Sequence, residues 1–178
     1  IVDSVLNGHG FVAYSPIQIN PYGGNEEADI YSYDLDKFAE EMDKLGWKKG
    51  DDGIYERNGQ KFSFSIQVRD YEEERVDIEN IVSQQLKKAG VELKVQLVTK
   101  FDWESGYNGF LAGYATPFDA DGLYKQFVTD ASENTMKYSD EKVDEFLKEG
   151  RHAKSEEERK DAYHKFEVAY AENPGQIL

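Results

Sequence analysis

The residues best suited to chemistry stand between Trp103 and Tyr124. Asp119-Ala-Asp121-Gly122 sets two carboxylates two residues apart. Paired carboxylates can work as the acid and base of a hydrolase, and this quartet also resembles the opening of a calcium loop. The remaining ligand positions of such a loop are not filled. Asp119 therefore reads first as a helix N-cap whose carboxylate accepts backbone N–H groups. Around it lie Trp103, Tyr107, Phe110, Tyr114, Phe118 and Tyr124. Phe110 reads as core. Trp103 and Tyr114, flanked by glycines and polar residues, suit a cleft wall equally well, because aromatic rings give large contact area at low entropy cost. Of the three histidines, His152 and His164 fall on polar helical surfaces and read as solvated. His9, between Gly8 and Gly10, reads as a cap at the negative end of a helix.

The remaining chemistry is defined by absence. There is no Gly-x-Ser-x-Gly elbow, no phosphate-cradling P-loop and no His-Glu-x-x-His. The 178 residues include no cysteine, which removes disulfides, zinc-thiolate sites and cysteine nucleophiles together. Lys and Arg number 21 against 36 Asp and Glu, a formal charge of −15. Such a surface repels phosphate backbones and anionic lipid, which argues against nucleic-acid and membrane-surface binding. No apolar run is long enough to span a membrane. No cofactor and no resident metal is expected.

These residues must be positioned by an α/β scaffold. Ile1, Val2, Val5 and Leu6 give a short helical stripe, and a long loop runs from Phe11 to Tyr33. Asp34 caps a helix with Leu35, Phe38, Ala39, Met42 and Leu45 on one face. Asn58-Gly59 predicts a hairpin, since both turn residues tolerate positive φ. Phe62, Phe64, Ile66 and Val68 then alternate as one half-buried strand. A helix over 72–89 follows, with Val76, Ile78, Ile81, Val82, Leu86 and Ala89 as its apolar side. Val91, Leu93, Val95 and Leu97 form the next strand. Strand, helix and strand with tight links imply a right-handed parallel crossover. A short strand is expected at 109–114. Asp140 or Ser139 caps a helix carrying Val143, Phe146 and Leu147. Ser155 and Glu158 form a capping box for a last helix, with Ala162, Phe166, Ala169 and Tyr170 inward. Pro174 ends it, and 174–178 reads as the start of a strand. The expected class is α/β, a small mixed sheet flanked by helices. Both ends read as cut, so a fragment is expected.

The order of these pieces resembles the second lobe of the extracytoplasmic solute-binding proteins of ABC transporters, in the dipeptide, oligopeptide and nickel class (family 5). Ile1-Val-Asp-Ser-Val-Leu-Asn-Gly-His-Gly10, with Ala13 and Pro16, is similar to the family's opening helix and Gly-x-Gly-x-x-Ala loop. Tyr33-Asp-Leu-Asp-Lys-Phe-Ala, ending in Gly46-Trp47, resembles its Tyr-Asp-x-x-Lys-Ala helix. Ile81 to Val91 resembles its Ile-x-x-x-Leu-x-x-x-Gly-Val segment. The 140–147 and 155–174 helices resemble its closing pair.

The resemblance implies that 1–178 is a single lobe of a two-lobed (class II) periplasmic-binding-protein-like fold, with the first lobe and a signal sequence outside it. It implies capture of a small peptide-like or metal-chelate ligand and delivery to ABC permease subunits by an extracytoplasmic monomer, periplasmic or lipid-anchored. Trp103 matches the family's Trp after the second strand, and Tyr114 its aromatic after the next strand's glycine. The Asp that anchors a peptide amino group in peptide binders falls at Pro117. Ala115-Thr-Pro-Phe-Asp119 resembles the nickel-type Gly-Ala-Pro-Tyr-Asp, where the aromatic after Pro lies against the chelate; Phe118 holds that place. The histidine of some nickel binders is not matched in 130–134. The expected ligand-binding set is Trp103, Tyr114, Thr116, Phe118 and Asp119, with no catalytic residue. The competing readings are an acidic domain recognising a basic partner and a hydrolase using Asp119 and Asp121.

Overall fold

Asp34 accepts a hydrogen bond from the Lys37 N–H at 2.9 Å and opens α1 (Leu35–Lys44). Met42 is buried, Phe38 and Ala39 half-buried, and Leu35 and Leu45 largely exposed. The helix stops at Gly46, whose φ is +78°. This computed structural model describes residues 1–17, 24–102, 104–113 and 118–177. The chain forms two compact units, one from 1–11 and 33–113, the other from 12–32 and 114–178.

The first unit carries two small sheets. In one, β1 (Lys48–Lys49), β2 (Tyr55–Arg57) and β3 (Gln60–Lys61) are antiparallel. Asn58 and Gly59 adopt φ of +55° and +76°, as the hairpin requires, and Arg57 pairs with Gln60. In the other, β4 (Ser63–Arg69) lies between β5 (Glu92–Val98) and β6 (Gly109–Phe110), all parallel. The expected single strand from Gln60 to Val68 is thus two strands in two sheets. Phe62 is the joint: its N–H donates to the Tyr55 carbonyl at 2.6 Å and its own carbonyl accepts from Glu92 N–H at 3.0 Å. The strands sort into one antiparallel and one parallel sheet rather than a single mixed one.

α2 (Glu73–Ala89) forms the crossover between β4 and β5. Its dipole is complemented by Glu73 and Glu74 at the start and Lys87 and Lys88 at the end. Gly90 ends it with φ +98°, and a Cβ there would lie 2.8 Å from the Tyr55 ring and 3.0 Å from the Gly53 carbonyl, so no larger residue fits. None of the six expected apolar residues of this helix is fully buried. The residue that is buried is Glu79, 4% exposed, with Oε2 lacking a hydrogen-bond partner and its carboxyl pushed above the ordinary range by burial.

Burial along β4 also departs from expectation. Ser65 and Gln67 are buried, whereas Phe64 and Ile66 are only half-buried; Val68 is buried as expected. The cause is the loop after β5, which folds over the polar side of the strand.

The second unit is helical. It holds the loop from Val12, a 3-10 turn (Glu26–Ala28), a second 3-10 turn (Ala120–Leu123), α3 (Tyr124–Phe127), α4 (Glu141–His152) and α5 (Glu156–Glu172). Asp140 caps α4 through the N–H groups of Lys142 and Val143 at 2.9 and 3.2 Å. Ser155 caps α5 through Glu158 N–H at 3.1 Å. The return arm of the capping box reaches one residue further back: Glu158 Oε2 accepts from Lys154 N–H at 2.8 Å, not from Ser155. Ala162, Phe166, Ala169 and Tyr170 face inward as expected. Phe127 is the centre of the core, with ring centroids 4.9 Å from Tyr170, 6.0 Å from Phe166 and 6.4 Å from Tyr138. Such edge-on and tilted pairs add to burial of apolar area. Residues 174–177 form no strand.

The loop from Val12 is tied to α5. The Ile17 N–H donates to Ser15 Oγ at 3.0 Å, and Ser15 in turn donates to Glu167 Oε1 at 2.5 Å. Asn25 Nδ2 donates to the His164 carbonyl at 3.2 Å, and Tyr31 Oη to the Ala171 carbonyl at 2.8 Å. Residues 18–23 of this loop lie outside the described residues.

Candidate functional site

Asp119 begins the 3-10 turn over 120–123. Its Oδ1 accepts from Asp121 N–H at 2.9 Å and is paired with Arg159 Nη2 from the start of α5. Asp121 faces the other arginine: Arg151 Nε meets Oδ1 at 2.7 Å and Nη2 meets Oδ2 at 2.9 Å, a two-pronged pair. The same guanidinium lies over the Tyr124 ring, 3.5 Å from its centroid. Arg151 holds the Asp121 carboxyl below the ordinary carboxylate range through hydrogen bonding and charge, against a smaller opposing cost of burial. A hydrolase acid needs the opposite, a carboxyl raised towards neutrality. The Asp119 and Asp121 carboxylates are thus engaged in building the turn.

What this turn presents is Phe118. It directly precedes the capping residue and is fully exposed, at 102% of its reference area. An aromatic ring in that state on a turn held by two arginines is available to a ligand at little further ordering cost.

Of the other expected site residues, Trp103, Tyr114 and Thr116 lie outside the described residues. Their flanks are described. Asp102 and Ser105, on either side of Trp103, are bonded to the buried Gln67 of β4. Before Tyr114, Gly113 packs against the guanidinium of Arg75: a Cβ at 113 would collide with Arg75 Nη2. Arg75 is held by Glu72, which also lies 3.6 Å from Arg69 Nη1. These flanks belong to the carboxyl ends of β4, β5 and β6, the edge at which open parallel sheets bind ligands.

Reading along the sequence missed the arginines and Gln67. Arg151 and Arg159 stand 30 and 40 residues from their aspartates, beyond any local period. Gln67 did carry a signal: an amide in the middle of an alternating strand must find partners if buried. Among the described residues no cluster of His, Asp and Glu is arranged to hold a metal ion. No described helix is long and apolar enough to cross a membrane. Two open grooves of about 570 and 580 Å³ run along α4 and α5, sharing Lys142, Ala169 and Glu172; neither is lined by Phe118 or Asp119.

The fold, a small α/β unit with a parallel sheet and a helical unit, is matched among known proteins. Residues 1–144 match the family model for the middle region of bacterial extracellular solute-binding proteins, family 5, and the chain belongs to that family. It is 31% identical over 186 residues to Protein XP55 of Streptomyces lividans, covering 98% of this chain and 33% of that protein. It is 39% identical over 103 residues to the oligopeptide-binding protein AppA of Bacillus subtilis (strain 168), covering 55% of this chain and 19% of AppA. The crystal structure of NikZ from Campylobacter jejuni in complex with Ni(L-His) is similar over 98% of this chain and 37% of NikZ, with a TM-score of 0.84 and 31% identity. The AppA structure from Bacillus subtilis in complex with a nonapeptide is similar over the same shares, with a TM-score of 0.75 and 26% identity. The chain therefore spans about a third of the length of the relatives that it matches nearly end to end. Of these relatives, AppA is an oligopeptide-binding protein solved with a nonapeptide, and NikZ was solved with Ni(L-His).

Proposed function

We propose that this chain is one lobe of the substrate-binding component of an ABC importer. It captures a small peptide-like or metal-chelate ligand against Trp103, Tyr114, Thr116 and Phe118, and the complete protein hands that ligand to the permease outside the cytoplasm, in the periplasm or at the cell surface. The observation that carries this reading is Phe118, fully exposed on a turn that Asp119–Arg159 and Asp121–Arg151 hold in place. Asp119 belongs to the site as the residue that sets the turn. Affinity comes from burying aromatic area plus a few polar contacts, with no bond made or broken. Pro117 lacks a carboxylate to receive a peptide amino group, and Ala115-Thr-Pro-Phe-Asp119 favours the metal-chelate branch.

Native mass spectrometry of the intact protein that carries this sequence, purified without refolding, tests the reading. A co-purified metal chelate supports the nickel-type branch. A ladder of peptide masses supports the peptide branch. A protein that arrives empty and takes up neither Ni(II) with L-histidine nor a nonapeptide contradicts both.

A further inference from the structure

We infer that Gln67 is the positioning residue for the loop that carries Trp103. The inference deepens the proposed function and rests on Trp103 being a ligand-facing wall. Gln67 sits in the middle strand of the parallel sheet and is 1% exposed, on the side of β4 that alternation would have left to solvent. A buried primary amide has to place its donors and its acceptor. Gln67 spends them on two residues. Its Oε1 accepts from Asp102 N–H at 2.9 Å, and its Nε2 donates to Ser105 Oγ at 2.7 Å and, at 3.5 Å, approaches the Asp102 carbonyl. Asp102 and Ser105 bracket Trp103 in the chain.

The bracketing residues are also tied to each other. Glu104 N–H donates to Asp102 Oδ1 at 3.1 Å, and Ser105 Oγ donates to the Asp102 carbonyl at 3.2 Å. Gln67 therefore grips a tied turn from beneath. Two residues earlier on the same strand, Ser65 fixes the far end of the loop. Its N–H donates to Asn108 Oδ1 at 2.8 Å, and its carbonyl accepts from Asn108 N–H at 3.0 Å. Two residues later, the Arg69 guanidinium lies over the Phe101 ring, 4.7 Å from its centroid, at the near end. One strand thus holds the loop at three successive points, and at the central one the strand contributes its own side-chain amide. Phe101 at the start of the loop is buried and packs on Phe110 at 5.0 Å, whereas Asp102, Glu104 and Ser105 are exposed and are tied down through hydrogen bonds. An apolar residue at 67 would take one partner each from the Asp102 N–H and the Ser105 hydroxyl.

The consequence is preorganisation. A binding wall held before the ligand arrives does not charge its ordering to the binding step. The test uses the intact protein labelled with 5-fluorotryptophan, with the Trp103 and Trp47 signals assigned by Trp103→Phe and Trp47→Phe. Gln67→Met keeps the side-chain length and removes every hydrogen bond. The expected result is a Trp103 fluorine signal that shifts or splits, while Trp47, packed on Phe62 at 5.0 Å, keeps its own. Affinity for the ligand class that wild type binds, Ni(II) with L-histidine or a nonapeptide, is expected to fall about tenfold. Ser105→Ala removes one of the three bonds and is expected to move the same signal by less, which covers a Gln67→Met protein that does not fold. A Trp103 signal unchanged in both variants overturns the inference. So does a variant in which Trp103 and Trp47 move together, because Gln67 would then support the whole unit. A wild type that binds neither probe overturns the proposed function instead, and the fluorine signals still decide the role of Gln67.

Discussion

Ser15 and Glu167 lie 152 positions apart and share a buried hydrogen bond, the hydroxyl donating to Oε1 at 2.5 Å. Glu167 is wholly inaccessible and its Oε2 has no hydrogen-bond partner. Burial pushes its carboxyl up to about 7, against the Ser15 hydroxyl and the nearby N–H groups of Asn25 and Gly24, which pull it back. This bond joins the loop from Val12 to the middle of α5.

A raised carboxyl makes the second unit sensitive to pH near neutrality. The folded value lies above the unfolded one, so the contribution to stability is complete below about pH 4.5 and is lost as pH rises through about 7. Glu167→Gln keeps an oxygen acceptor and cannot ionise. Thermal melts from pH 5 to pH 9 are expected to show the variant gaining on wild type as pH rises, by about 3 kcal/mol at the alkaline end. Parallel melting curves across that range would contradict the assignment.

The Asp121–Arg151 pair behaves in the opposite sense. The Asp121 carboxyl is held low, so its contribution is present above the ordinary carboxylate value and is lost as pH falls through the depressed one. Asp121→Asn and Arg151→Ala are each expected to lower the melting temperature at pH 7. The double variant is expected to melt no lower than the worse single one, since both remove the same interaction. Effects that simply add would show that the two groups act separately.

Gly150 tests the seam between α4 and α5. A helix-interior glycine replaced by alanine ordinarily gains about 1 kcal/mol. Here the new Cβ would lie 2.8 Å from ring carbons of the buried Tyr163. Overpacking of a filled core costs about 1–3 kcal/mol. Gly150→Ala is therefore expected to lower the denaturation midpoint, corresponding to a loss of about 1 kcal/mol of stability. A rise in that midpoint would mean that the two helices can part at no cost.

Local rules carried much of the architecture. The caps at Asp34, Asp140 and Ser155, the Asn58-Gly59 hairpin and the β4–α2–β5 crossover all follow from neighbours within a few residues, and all are present. What escaped the sequence is what distant segments decide. The switch of sheets at Phe62, the burial of Gln67 beneath the 102–105 turn, and the placement of Glu79 and Glu167 in dry surroundings each depend on another part of the chain. The same division holds at the site. The capping role of Asp119 was legible, whereas the arginines that fix the turn were not, because nothing in their own neighbourhoods marks them.

The most direct measurement is calorimetric titration of the intact protein with Ni(II) and L-histidine and, separately, with a nonapeptide, for wild type and Phe118→Ala. Losing a buried aromatic contact costs about 1.5–3 kcal/mol, at least tenfold in affinity. The account predicts that wild type saturates at one site with one of the two probes, and that Phe118→Ala binds that probe at least tenfold more weakly with an unchanged melting temperature. A wild type that binds neither probe, or a Phe118→Ala protein that binds as tightly as wild type, would contradict it.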